Sequence, residues 1–224
     1  MLKRLFFIFF TLLILLHKPE TSYAEVTTIE QEVKTKLQRI NNLDFSEKDV
    51  LILKDIPLNK SIIVKGYSKK ENEKLSIKAA QTDLLKNYVS FIKGWNYELK
   101  DNKLKLIFDD NIKLKDIDVK SLTNEVYEAS RLLELSETYV KEYSKQESIF
   151  VFSKAEIKDN ILSAFSEART KAIVKALNEF YLNKRKDNVK GKIFFQDIIY
   201  NSLDEYNPFQ TEVIYVVRFS ISDY

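Results

Sequence analysis

The chain has 224 residues, and its 36 Lys and Arg against 33 Asp and Glu give a net charge of +3 at pH 7. It has no Cys, and its one His and one Met are His17 and Met1, both near the start. The composition excludes disulfides and thiol chemistry, and without the first 24 residues it also excludes imidazole catalysis and most zinc, haem and transition-metal sites.

Residues 1–24 have the pattern of a signal peptide. Lys3 and Arg4 precede a twelve-residue hydrophobic region, 5–16, and the segment ends with Ser22 and Ala24 at the −3 and −1 positions. A membrane-spanning helix needs about 20 apolar residues, so an uncleaved anchor is the less favoured alternative. A lipid anchor is excluded because there is no Cys. We therefore expect an exported protein of the periplasm or cell envelope.

The signal-peptide pattern predicts cleavage between Ala24 and Glu25, because small residues at −3 and −1 suit signal peptidase. Mass spectrometry of the exported protein should give a chain that begins at Glu25. A mature chain that still carries residues 1–16 would contradict the prediction and support the anchor.

The predicted mature chain is close to neutral. Removal of Lys3, Arg4, Lys18 and Glu20 leaves 33 basic and 32 acidic residues. Lys and Glu alternate along this chain, whereas a nucleic-acid partner needs a clustered basic surface. The sequence therefore predicts no nucleic-acid partner.

Residues 25–60 predict a helix and a lead-in strand. Apolar residues recur at helical spacing over residues 29–40, and Asn41 and Asn42 would end the helix. Residues 49–56 are aliphatic and predict a short strand, which could pair with a second strand at residues 61–67.

Residues 61–147 predict a first α+β unit. A helical stripe covers residues 75–93, and Gly94 stands where a helix-ending glycine is expected. Residues 95–99 and 103–108 predict a hairpin. Residues 121–134 favour a short helix, and the pattern from residue 132 onward predicts a strand that forms a long hairpin with the strand at residues 148–157.

Residues 148–224 predict a second α+β unit of one strand, the helix 160–182 and two further strands, 192–201 and 211–222. Alanine recurs every four residues in the helix, and a row of small side chains lets a helix axis lie close to a sheet. The row consists of Ala164, Ala168, Ala172 and Ala176.

The second unit echoes the first. Residues 61–64 match 148–151 at an offset of 87, and the two helices match at an offset of about 92. We therefore expect an α+β fold of two related strand-helix-strand-strand units, with helices packed on antiparallel sheets. The sequence leaves open whether the units form one core or two.

The order of elements in the second unit resembles the N-terminal domain of flagellar assembly protein T and the related small outer-membrane lipoproteins of bacteria. The matching residues are 167–177 of the helix, 191–193 and the last strand, 213–221. The resemblance covers residues 148–224, and 61–157 more loosely, and the chain departs from the lipoproteins by lacking Cys.

This resemblance implies a non-enzymatic binding or assembly role in the envelope. It implies an envelope or flagellar-base protein as partner, peripheral association with the outer membrane and no small-molecule cofactor. It assigns no residue a function, so no catalytic, cofactor-binding or metal residue is predicted.

The turn before the last strand carries two aromatic residues, Tyr206 and Phe209, as candidate partner contacts. Packing of these rings over the edge of the sheet is the favoured alternative, since aromatic side chains are usually buried.

Other polar groups give weaker candidates. Asp109, Asp110 and Asn111 with Asp116 and Asp118 form the densest carboxylate patch, but the glycine of a calcium loop is missing, so a solvated loop is favoured. Ser163 and Ser166 have no His to activate them. The alternative to a non-enzymatic role is a His-free, carboxylate-dependent hydrolase of the envelope.

Overall fold

The computed structural model describes residues 28–100, 103–107, 113–123, 126–182, 188–205, 207 and 209–223, so the predicted signal peptide lies outside the described residues. Within these ranges there are nine strands and four helices, and the strands form two antiparallel sheets. This confirms the predicted α+β class. In chain order the elements are α1 (Ile29–Asn41), β1 (Val50–Leu53), β2 (Ser61–Ser68), α2 (Glu73–Ile92), β3 (Trp95–Lys100), β4 (Lys103–Ile107), β5 (Asp118–Ser121), β6 (Tyr127–Glu134), α3 (Glu137–Ser144), β7 (Ser148–Glu156), α4 (Ile161–Tyr181), β8 (Asn188–Asn201) and β9 (Glu212–Asp223).

The larger sheet has six strands in the order β1-β7-β9-β8-β3-β4, and the smaller has the order β2-β6-β5. The larger sheet takes strands from all three predicted segments, so the two units share one sheet. The prediction that β1 and β2 could pair is wrong, because β1 pairs with β7 and β2 pairs with β6. The segment boundaries at residues 60 and 147 stay a prediction.

Helix α4 confirms the expected role of the alanine row. Asn160 caps the helix by accepting a hydrogen bond from the Ser163 N–H at 2.8 Å. All four alanines of the row are at most 2% exposed. The Ser153 hydroxyl of β7 donates to the Ala168 carbonyl at 2.6 Å, so the helix backbone lies directly against the sheet.

A glycine allows the same close approach in the first unit. Gly66 lies in β2 beneath α2, and a Cβ added there would stand 2.0 Å from the Leu84 nitrogen. The helix caps Asn72 and Asn160 relate the two units by 88 residues rather than about 92. The offset of 88 from the caps and the offset of about 92 from the sequence match differ by four residues. Alanine recurs every four residues in α4, so the helix sequences can be matched at either offset.

One hydrophobic core runs through both units, and it includes Leu84, Trp95, Phe165 and Val217. A second cluster lies on the opposite face of the larger sheet, where Val33 and Leu37 of α1 pack against a set of strand residues: Phe150, Phe152, Ile214 and Val216. The larger sheet is therefore covered by α4 on one face and by α1 on the other, and burial of both faces stabilises it.

Two predicted elements are wrong. Residues 121–134 favoured a helix, but β6 pairs all eight of its residues with β2, and this register buries Ala129 and Leu133 against α2. Residues after 134 favoured a strand, but they form α3. Ser136 caps α3, and Tyr139 and Tyr143, one turn apart, stack with ring centroids 4.2 Å apart.

None of the helices in the described ranges is both long and apolar enough to cross a membrane.

Candidate functional site

A large cavity of about 860 Å³ lies where the N-terminal ends of α2 and α4 approach the end of β2. The caps of both helices, Asn72 and Asn160, line this cavity. A second hollow of about 410 Å³ continues it between the helices and shares Tyr67, Leu162 and Ser166 with it. We call the two cavities together the interhelical groove.

The walls of the groove are rich in hydroxyl and amide groups, mainly Ser68, Asn72, Ser76, Asn160, Ser163 and Ser166. Ser76 also fixes the loop before α2, because its Oγ accepts a hydrogen bond from the Lys70 N–H at 2.9 Å. Hydroxyl and amide groups both donate and accept hydrogen bonds, so the groove can recognise a polar chain. It offers no imidazole or thiol to activate a nucleophile.

Asp83 and Arg169 line the floor of the second hollow and belong to a hydrogen-bonded network. Asp83 accepts from the Tyr67 N–H at 3.0 Å, and Asn87 donates to the Lys65 carbonyl at 2.7 Å, so two side chains of α2 satisfy the free edge of β2. Arg169 of α4 donates to Asn87 Oδ1 at 2.9 Å and pairs with Asp83 Oδ1 at 3.4 Å. This network therefore joins both helices to β2.

A second polar cluster lies in a cavity of about 280 Å³ between β2 and the end of β8. The Tyr67 hydroxyl donates to Asp204 Oδ1 at 3.1 Å and accepts from Asn201 Nδ2 at 3.0 Å. Lys65 Nζ lies 2.6 Å from the same Asp204 oxygen. Burial, followed by the neighbouring Asp204 carboxylate, raises the pKa of Tyr67 well above its usual value.

Asp197 is a second carboxyl group on this cavity. Burial raises its pKa, against the opposing effect of a 2.6 Å hydrogen bond from Asn59 Nδ2. One carboxyl group of raised pKa and one ion-paired carboxylate thus line the same cavity, and carboxylate-dependent hydrolases use two carboxyl groups in such different environments. The cavity is slightly smaller than the usual range of about 300–1,000 Å³ for ligand sites.

The sequence did not predict these networks. Asp83 and Asn87 lie four residues apart on α2, which marks them as one helix face. The partners Tyr67, Arg169 and Asp204 come from distant segments, and no local pattern connects them.

Phe209 lies on the turn between β8 and β9 and is 88% exposed, so the favoured packing of its ring over the sheet edge is wrong. The turn is held by its polar residues, since Asn207 Oδ1 accepts from the Phe209 N–H at 2.9 Å. Tyr206 lies outside the described residues, so the pair stays a predicted contact.

The structure describes only some of the other candidate residues. Asp109, Asp110 and Asn111 lie outside the described residues, while Asp116 and Asp118 are exposed. Across the described ranges no cluster of three or more His, Cys, Asp or Glu could hold a metal ion. Ser163 and Ser166 are exposed on the groove, and the nearby Lys171 pairs with Glu167 at 2.7 Å.

No family model matches the chain, and no curated protein or solved structure matches it.

Proposed function

We propose that the chain is an exported, non-catalytic protein of the cell envelope that binds a partner protein through the interhelical groove. Its role is in assembly, and a component of the flagellar base is the partner class that the sequence resemblance suggests. The signal-peptide pattern supports export. The observation that supports the proposal is a wide polar groove. Its charged floor residues, Asp83 and Arg169, are engaged in hydrogen bonds and an ion pair within the fold, as expected for a binding site rather than a catalytic one.

The groove suits recognition of a peptide segment. Its 860 Å³ outer cavity falls within the range of about 300–1,000 Å³ that ligand sites occupy. An extended peptide exposes backbone N–H and C=O groups, and the exposed hydroxyls of Ser163 and Ser166 on the walls can pair with both. Asp83 and Arg169 line the second hollow, and hydrogen bonds to β2 and to Asn87 hold them in place, so they form a rigid floor.

Site-specific photo-crosslinking tests the proposal in the cell. A photoreactive phenylalanine at Ser163, on the groove, should crosslink to one envelope protein. The same probe at Lys171, on the outer side of the same helix, should not. Adding Ser166→Trp to the Ser163 probe should fill the groove and remove the crosslink, without a change in melting temperature because position 166 is exposed.

Two outcomes would contradict the proposal. One is a Ser163 crosslink that persists with Ser166→Trp, because the partner would then not enter the groove. The other is recovery of the protein from the cytoplasmic fraction with its first 24 residues intact.

The alternative function is a carboxylate-dependent hydrolase of the envelope, and the pair Asp197 and Asp204 favours it. Hydrolysis of a cell-wall glycan or peptide by the purified protein, lost in both Asp197→Asn and Asp204→Asn while the fold is retained, would select this alternative. A folded wild-type protein without such activity would favour the binding role.

A further inference from the structure

The part of the larger sheet formed by β3, β4 and the start of β8 has an exposed basic face. Strand pairing places Lys100 opposite Lys103, Glu98 opposite Lys105 and Lys190, and Asn96 opposite Lys192, so these side chains share one face. Lys192 is half-buried and the other four lysines are exposed. We call this the basic sheet face, and its lysines are Lys100, Lys103, Lys105, Lys190 and Lys192.

The charge of this face is strongly unbalanced. Among the described residues on this face, Glu98 is the one acidic side chain, and it pairs with Lys190 at 2.8 Å. The hydrogen bond from Lys190 is the main cause that lowers the pKa of Glu98, and the positive charge of Lys105 lowers it further. Five lysines against one glutamate give a local charge of +4, on a chain predicted to be almost neutral overall.

Protection of a sheet edge does not account for this face. Lysines on an edge strand prevent pairing with other chains, and this explains Lys103 and Lys105 on β4. Lys100 of β3 and Lys192 of β8 are paired with a neighbouring strand on both sides. These two lysines therefore add positive charge where no edge needs protection.

The face suits a plane of phosphate groups better than a nucleic acid. Its described residues on β3, on β4 and at positions 188–192 of β8 include neither Arg nor an aromatic ring, the groups that read base edges or stack on bases. Lysine acts as a flexible point charge and matches the dispersed phosphates of a bilayer. Ile107 shares the face opposite Asn96 and is 41% exposed, so an apolar side chain can enter the headgroup region.

We propose that the basic sheet face docks this protein onto the surface of an anionic phospholipid bilayer. The face lies on a different part of the molecule from the interhelical groove, so this inference stands independently of the proposed function. It lets a protein without a membrane-spanning helix among its described residues stay at a membrane while the groove remains open.

Vesicle co-sedimentation tests this inference. The full wild-type chain should partition onto phosphatidylglycerol vesicles far more strongly than onto phosphatidylcholine vesicles, and raised salt should weaken binding by screening. Each lysine near an anionic surface contributes about fivefold. Lys100→Gln, Lys103→Gln, Lys105→Gln and Lys192→Gln combined should lower partitioning on the order of a hundredfold or more. Arg at the same four positions should preserve binding.

A matched control removes four exposed lysines elsewhere, as Lys74→Gln, Lys78→Gln, Lys145→Gln and Lys158→Gln. It has the same net charge as the first quadruple variant and should bind almost as wild type does. All chains carry residues 1–27, so an apolar contribution from that segment is equal in each.

Three results would overturn the proposal. They are equal binding of the wild type to both vesicle types, equal losses in the two quadruple Gln variants, and tighter binding of duplex DNA than of vesicles through the same four lysines.

Discussion

Gly66→Ala should lower the free energy of unfolding by on the order of 3–5 kcal/mol, because the added methyl group must displace the backbone of α2. A Cβ at this position would lie 2.0 Å from Leu84 N and 2.5 Å from the Ala80 oxygen, and both atoms belong to the helix backbone. No side-chain rotation can relieve such contacts. Urea denaturation followed by circular dichroism would measure the effect.

The control for this prediction is Ser61→Ala on the same strand. Ser61 is exposed, so the change should alter stability by no more than about 0.5 kcal/mol. If Gly66→Ala shifts the midpoint no further than Ser61→Ala does, α2 does not lie against β2 as described.

Ala172→Leu should also destabilise the protein clearly, by about 1–3 kcal/mol or more where the backbone has to move. Ala172 is fully buried between Ala168 and Ala176 on the face of α4 that lies against the larger sheet. Three added carbon atoms have no room there, because the Ser153 hydroxyl already reaches the helix carbonyl one turn away. The same urea denaturation would report the change.

Lys171→Leu is the matched control, since it places the same leucine one residue away. Lys171 is exposed and pairs with Glu167, so its loss should change stability by about 0.5 kcal/mol or less. Equal shifts of the two midpoints would show that α4 faces the sheet with a different side.

These two positions also bear on the interhelical groove. Gly66 sets how closely α2 approaches β2, and the alanine row sets how closely α4 approaches the larger sheet. The groove lies between these helices, so its width depends on both approaches. We expect either substitution to weaken the proposed crosslink at Ser163, even where the protein stays folded.

The sequence by itself determined the elements whose signals are local. The alanine spacing identified α4 and its buried face, Gly94 marked the end of α2 and the alternation over residues 95–108 predicted the β3–β4 hairpin. Each of these signals depends on residues a few positions apart, because helix and strand periodicities repeat over two to four residues.

Only the tertiary structure decided which strands pair and which side chains meet. Residues 127–134 became a strand because β2 offered an eight-residue partner. Strands β1 and β2 joined different sheets, and their partners lie about 60 to 100 residues away in the sequence. The groove and the basic sheet face each combine segments that are distant in the sequence. The basic face could not be predicted from the sequence, where Lys and Glu alternate. It forms because β3 pairs with both β4 and β8, which brings lysines 100, 103 and 105 beside lysines 190 and 192. Such pairings are set by burial over the whole chain, which no local pattern records.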